Sequence, residues 1–147
     1  MLFCYHSAKI DDKFRLRIPV QFRRDWPEGV EEKYFVTSDD GKRAQIYPLP
    51  VWELMEKMLL ETPLHQSKSK LEKFISAYGA VVTPDPQGRI VLPNRIRTKA
   101  KLFGDVVILE KKDRFEVWNE QILDGDLDES PLDLEDRTNL VGMGYHG

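Results

Sequence analysis

Two intervals in the 147-residue chain join an acid to a base in the same way: Asp11 precedes Arg15 by four residues, and Asp85 precedes Arg89 by four. A carboxylate at that spacing can accept hydrogen bonds from turn amides while holding a guanidinium beside it. The planar guanidinium fork can grip guanine O6/N7 or a phosphate. Taken singly, such a pair is more often a plain structural turn, with Gly88 supplying a positive φ in the second. Duplication favours a functional use, because both copies keep the acid and the arginine while the residues between them vary. Matched cationic loops suit the repeating phosphates of a duplex. Arg15 and Arg89 are therefore candidate contacts to double-stranded DNA. Lys13, Arg17, Arg23, Arg24, Arg95, Arg97, Lys99 and Lys101 are candidate backbone contacts, some of them merely solvated. Gly88, Pro19 and Pro93, with the two aspartates, read as residues that shape the motif.

Net charge is −3, which by itself argues against a polyanionic partner. The distribution argues otherwise. Residues 9–24 carry +4, residues 85–101 carry +4, and residues 124–136 carry −7 with no base among them. Two basic islands and an acidic tail are more informative than their mean.

The islands are copies. Residues 11–23 align with 85–97 at an offset of 74, sharing D-x-[KQ]-x-R-[LI]-x-[IL]-P-x-x-[FI]-R. The likeness resumes at an offset of 71, where Phe35-Val36-Thr37 answers Val106-Val107-Ile108 and residues 43–47 answer 114–118. A longer loop around Trp26-Pro27-Glu28-Gly29 accounts for the slip. Two units of roughly 70 residues are the main organising fact.

Each unit predicts the same elements. Leu16 and Ile18 alternate around Arg17 as in a strand, while Arg89–Leu92 is apolar at successive positions, as in a more buried one. Proline then ends the strand and can open a short helix, at 20–25 and 94–102. A hairpin follows, 34–37 with 45–47 and 106–110 with 114–118. Between the units, Trp52, Met55 and Leu59 recur at helical spacing until Thr62-Pro63. Ser67 is the expected cap of a second helix with Leu71, Phe74, Ile75 and Tyr78 on its apolar face. The expected organisation is a first unit at 1–50, a helical connector at 51–78, a second unit at 79–121 and an acidic, disordered tail at 122–147.

Other chemistries find little support. His6, His65 and His146 lack metal-ligand spacing, and no Walker loop, G-x-S-x-G or G-x-G-x-x-G occurs. Cys4 is the single cysteine, which gives no internal disulfide and suits a reducing compartment. No apolar run approaches the roughly 18 residues of a membrane helix, and the first residues do not read as a signal peptide. No enzyme, cofactor, metal, membrane or small-molecule substrate is expected.

The residues Tyr78-Gly79-Ala80-Val81, then Asp85 to Pro93, then Asp113 to Trp118, resemble the MraZ family of bacterial transcriptional regulators, as do residues 11–23 and Ile46-Tyr47-Pro48 with Trp52. The resemblance covers roughly residues 1–121. It implies an α+β, β-rich fold of two tandem SpoVT/AbrB-like units, whose swapped hairpins interlock into a double-psi type β-barrel with flanking helices. It further implies a ring-like homo-oligomer in the cytoplasm and nucleoid that binds short direct repeats upstream of its own division and cell-wall gene cluster, and the family expectation is autorepression. The DNA-facing surface would be built from the Asp-x-x-x-Arg elements. A non-DNA-binding oligomeric scaffold, and more remotely an antitoxin, are the alternatives within the same fold. Two positions depart from the family: Cys4 stands in place of a glycine, and Phe14 stands before the first arginine where glycine is usual. A phenylalanine forced to φ > 0 is strained; otherwise the turn differs, or Phe14 contacts DNA or a neighbouring subunit. On that reasoning Arg89 is expected to matter more than Arg15.

Overall fold

Leu16 and Ile90 hold equivalent places in the two copies, and the fold brings them opposite one another. In the computed structural model, which describes residues 2–147, strands β2 (Arg15–Arg17) and β6 (Arg89–Val91) form an antiparallel ribbon centred on that pair. Both side chains are fully buried. Their neighbours along each strand point the other way, as the two-residue period requires. Val91 is exposed, so β6 is two-faced; the more buried strand expected from its apolar run is not what forms.

Pro19 and Pro93 end the ribbon strands in extended conformation and stand as N-caps of two short helices, α1 (Val20–Arg23) and α4 (Asn94–Lys99). They lie just outside the helices rather than in the first turn. Phe22 and Ile96, again equivalent, carry each helix into the core.

The remaining strands make one six-stranded antiparallel sheet. The two predicted hairpins form, as β3 (Tyr34–Thr37) with β4 (Ala44–Pro48) and β7 (Asp105–Glu110) with β8 (Phe115–Trp118). Strands β4 and β8 join them at the centre, in register about Gln45 and Glu116, which correspond in the repeat. The outer strands are exchanged between copies. First-copy β1 (Cys4–Lys9) pairs with second-copy β7, and second-copy β5 (Ala80–Val82) pairs with first-copy β3. The strand order is β1-β7-β8-β4-β3-β5. This exchange interlocks the two copies around one core, from Leu16, Ile18, Ile90 and Leu92 to Tyr34, Ile46, Phe115 and Val117.

The connector is a helical pair, α2 (Leu49–Glu61) and α3 (Gln66–Tyr78). Trp52 is buried and stacks on Phe35 at 4.5 Å between centroids. His65, not Ser67, caps α3: its Nδ1 accepts the Ser67 amide at 3.0 Å.

The acidic segment is not disordered in this structure. It forms α5 (Glu120–Glu129) and α6 (Leu134–Gly142). Asn119 caps α5 through the Ile122 amide, and Leu123 buries against Val107 and Trp118. An Asp133–Asp136 capping box opens α6, which buries no residue. The helices arise from caps and one buried leucine, features that a count of charge and sparse apolar residues does not register.

Candidate nucleic-acid interface

Each Asp-x-x-x-Arg element is a three-residue loop closed twice by backbone bonds. The Phe14 amide donates to Asp11 O at 3.0 Å and the Asp11 amide to Arg15 O at 3.1 Å. In the second copy, Gly88 donates to Asp85 O at 2.9 Å and Asp85 to Arg89 O at 2.8 Å. The last loop residue must then adopt the left-handed conformation, as in a turn that ends in a bulge. Gly88 has φ +78°, and Phe14 has φ +65°. The turn is therefore not altered in the first copy. Phenylalanine occupies the strained position outright.

The aspartates organise the loops. Asp11 Oδ1 accepts the amides of Lys13 and Arg15, both at 2.9 Å, and Oδ2 accepts Arg15 Nε at 2.7 Å. Asp85 repeats this with Gln87, Arg89 and Arg89 Nε, each at 2.9 Å. The hydrogen bond donated by the Arg15 amide, against an opposing effect of burial and with help from the Arg15 side chain, holds Asp11 below the usual aspartate range. The Arg89 amide does the same for Asp85. Both carboxylates stay ionised at any pH near neutral, so the arginines stay oriented.

The ribbon sets the loops side by side. Its register places Arg15 opposite Val91 and Arg17 opposite Arg89, so three arginines share the face turned away from the core. Arg89 Nη1 lies 3.8 Å from Asp11 Oδ2, a link between the copies. The Arg15 and Arg89 side chains are 28% and 23% exposed, half-buried rather than on free turns. With Nε committed to aspartate, the terminal nitrogens of neither guanidinium make a hydrogen bond among the described residues, Arg89 Nη1 having only the longer approach to Asp11. Acceptors arranged like guanine O6/N7 or a phosphate fit such an end-on fork. Arg17 is exposed and reaches across to Gln87 O at 3.0 Å, and Lys13, Arg24, Arg95, Lys99 and Lys101 are exposed.

Two other candidates sit differently. Arg97 is buried, 7% exposed, so it is not available as a phosphate contact. Its Nη1 donates to Leu92 O at 2.6 Å, its Nη2 to Asn94 Oδ1 at 3.1 Å, and its guanidinium lies 3.6 Å from the Phe14 ring centroid. Arg23, its equivalent in the first copy, is half-buried and binds Glu32 through Nε and Nη2 at 3.0 and 2.9 Å. A Cβ added at Gly88 would collide with the Arg23 guanidinium. Each copy thus seats an arginine against the other copy's loop at the same place, on bare backbone in one case and on a phenyl ring in the other. Nothing in the sequence distinguishes Glu32 or Asn94, since no spacing marks a partner supplied across a fold.

No group of three or more His, Cys, Asp or Glu side chains among the described residues is placed to hold a metal ion.

A family model described as "MraZ protein, putative antitoxin-like" matches residues 78–137. The chain is 36% identical over 140 residues to the transcriptional regulator MraZ of Acidobacterium capsulatum, covering 95% of this chain and 96% of that one. It is 33% identical over 141 residues to the transcriptional regulator MraZ of Koribacter versatilis, with the same two coverages. It is 32% identical over 117 residues to that of Leuconostoc citreum, 79% of each chain. The first two alignments extend past residue 121, so the acidic helices share in the likeness that the motifs alone confined to the two repeats.

Proposed function

This chain belongs to the MraZ family, and from that premise we propose that it is a sequence-specific, DNA-binding transcriptional regulator without catalytic activity. The observation that carries the reading is the pairing of two loops with one hydrogen-bond scheme on a single ribbon, each aiming an aspartate-held arginine away from the core. Held arginines serve base readout better than they serve bulk attraction, because their charge is partly offset and their direction is not. Exposed Lys13, Arg17, Arg24 and Arg95 supply contacts to the phosphates.

The protein acts as a ring-like homo-oligomer on short tandem repeats, where several ribbons engage at once and avidity replaces extensive contact per subunit. Two features support self-association. Strands β1 and β5 are the edges of the sheet. Beside β1 runs an open, mainly apolar groove of about 700 Å³, lined by Cys4, His6, Arg17, Pro19, Val20 and Ile108, and Phe3 and Val20 are exposed. No helix among the described residues is long and apolar enough to cross a membrane. The DNA is that upstream of its own gene, the action is repression of its own division and cell-wall cluster, and the site of action is the cytoplasmic nucleoid.

The test is fluorescence anisotropy on that upstream DNA against a scrambled duplex across a salt series. Repeat-dependent binding with a steep negative salt slope, lost in the Arg15→Ala/Arg89→Ala double variant, supports the reading. Binding that ignores sequence, by an intact oligomer, moves it to a protein-interaction scaffold.

A further inference from the structure

The two loops match in every backbone bond but not in what they show to solvent. Where the second copy has Gly88, the first has Phe14, 40% exposed and held at φ +65°. Where the first copy has Arg17, the second has the exposed Val91. The second loop demonstrates that glycine suffices for this turn. The phenyl group is therefore not needed to form it, and it sits in a conformation that L side chains resist.

The ring is also fixed in place. The Arg97 guanidinium lies 3.6 Å from its centroid, and the backbone behind it is tied, since the Leu92 amide donates to Phe14 O at 3.1 Å. What remains exposed is an apolar surface on a loop residue that directly follows the exposed Lys13 and directly precedes the aspartate-held Arg15. Apolar surface bordered by cations is a poor match for an apolar protein patch. It is a good match for a nucleobase methyl flanked by phosphates, and thymine C5 presents such a methyl in the major groove.

We infer that Phe14 is a base-reading residue, its ring meeting the C5-methyl of a thymine next to the position gripped by Arg15. The inference rests on the DNA-binding reading above and deepens it. A ribbon with two equivalent loops would read a symmetric site in either direction. Phe14 against Gly88, with Arg17 against Val91, gives the two ends of the ribbon different base preferences and so gives each subunit a direction along the duplex. Direct repeats, which share one orientation, suit a reader of this kind.

The operator need not be identified before the experiment begins. Duplexes are selected from a randomised pool by the full-length protein, and the preferred duplex is remade with deoxyuridine for thymidine, which removes only the methyl groups. Wild-type protein should lose affinity about threefold to fivefold per contacted thymine, in line with a methyl-sized burial. The Phe14→Asn and Phe14→Gly variants, both compatible with positive φ, should bind the two duplexes equally, with wild-type oligomer size by light scattering. Equal wild-type binding to both duplexes overturns the inference, as does a variant that keeps the full thymine preference. A Phe14 variant whose oligomer dissociates also overturns it, placing the ring at a subunit contact. If the wild type selects no duplex at all, the DNA-binding reading fails and takes the inference with it.

Discussion

Arg97 lies over the ring of Phe14, 3.6 Å from its centroid, and each residue accounts for an oddity in the other. Phe14 adopts a left-handed conformation that costs a non-glycine residue about 1–2 kcal/mol, and stacking on a desolvated cation returns an amount of the same order. Arg97 is a buried cation with no carboxylate among its hydrogen-bond partners, held instead by Leu92 O, Asn94 Oδ1 and the ring. It is a structural residue. Arg97→Ala should lower unfolding free energy by about 2 kcal/mol or more, because Leu92 O is left without its buried donor. The slope of binding against salt should stay unchanged. Arg95→Ala, on the exposed side of α4, should do the reverse, leaving urea denaturation as it was and reducing the salt slope by about 1. A stable Arg97→Ala protein with a reduced slope would contradict this assignment.

Arg23 and Gly88 give the mirror case. With φ at +78° and the Arg23 guanidinium where a Cβ would go, Gly88→Ala meets strain and a displaced ion pair together. Thermal denaturation should show a loss of about 1–3 kcal/mol, with Arg23 pushed away from Glu32. A Gly88→Ala protein melting with the wild type would mean that the loop relaxes freely and that Arg23 is not seated there.

The expectation that Arg89 outweighs Arg15 rested on a doubtful first turn. The turns coincide in their hydrogen bonds, with Arg Nε–Asp Oδ2 distances of 2.7 and 2.9 Å, so that reason is gone. Arg15→Ala and Arg89→Ala should each weaken operator binding by a similar factor, about tenfold or more. Anisotropy titrations of both variants at one salt concentration decide it, and a difference beyond tenfold would show that the copies are used unequally.

Acid should unfold the protein through carboxylates that the fold holds ionised. Burial would raise the Glu116 carboxyl. It is outweighed by the charge and hydrogen bond of Arg43, 2.9 Å away, the Trp118 indole N–H and the Lys111 charge, which together hold it below its ordinary 4.5. Glu32 is lowered chiefly by hydrogen bonding from Arg23, partly opposed by burial. Both folded values lie below the unfolded ones, so these groups bind fewer protons when folded. Their stabilisation is complete above about pH 4.5 and is lost as pH falls through the depressed values. Glu116→Gln should cost about 2 kcal/mol at pH 7 by taking their shared buried carboxylate from Arg43 Nε and Lys111, although Arg43 keeps Asp39 and Asp40, and the gap to wild type should narrow at pH 3. Denaturant titrations at the two pH values measure it; a gap that widens in acid would show Glu116 protonated in the native protein.

Much of this architecture is legible in the residues because the repeat carries it. The offsets of 74 and 71 anticipate which strands are equivalent, and Leu16 with Ile90, then Gln45 with Glu116, turn out to be the residues that pair across the copies. Strand β1 left almost no trace: it is an edge whose exposed side chains include Cys4, Tyr5, Ser7 and Lys9, and its partner comes from the other copy. Val91 belonged to an apolar run that promised burial, yet a two-stranded ribbon covers only one face. The burial of Arg97 could not be read at all, since an arginine on a short helix looks solvated until the other copy's loop is laid over it. The reading of Asp11, Arg15, Asp85 and Arg89 as one motif needed only their spacing, because the loop that binds them is local.

The acidic helices differ from one another in what holds them, and that difference is measurable. Helix α5 is anchored: Leu123 is 3% exposed beside Val107 and Trp118, Asn119 also reaches Lys101 O at 3.2 Å, and Asp126 lies 3.5 Å from Lys42 Nζ. Helix α6 has nine residues and a capping box but no buried side chain, and a helix that short gains little from its own backbone bonds. Leu123→Ala should therefore cost about 2–4 kcal/mol in denaturant unfolding. Deleting residues 131–147 should leave the midpoint unchanged while removing helical signal in circular dichroism. If the deletion lowers the midpoint as much as Leu123→Ala does, α6 must pack on the folded body or on a neighbouring subunit, and its acids would lie at an interface instead of in solvent.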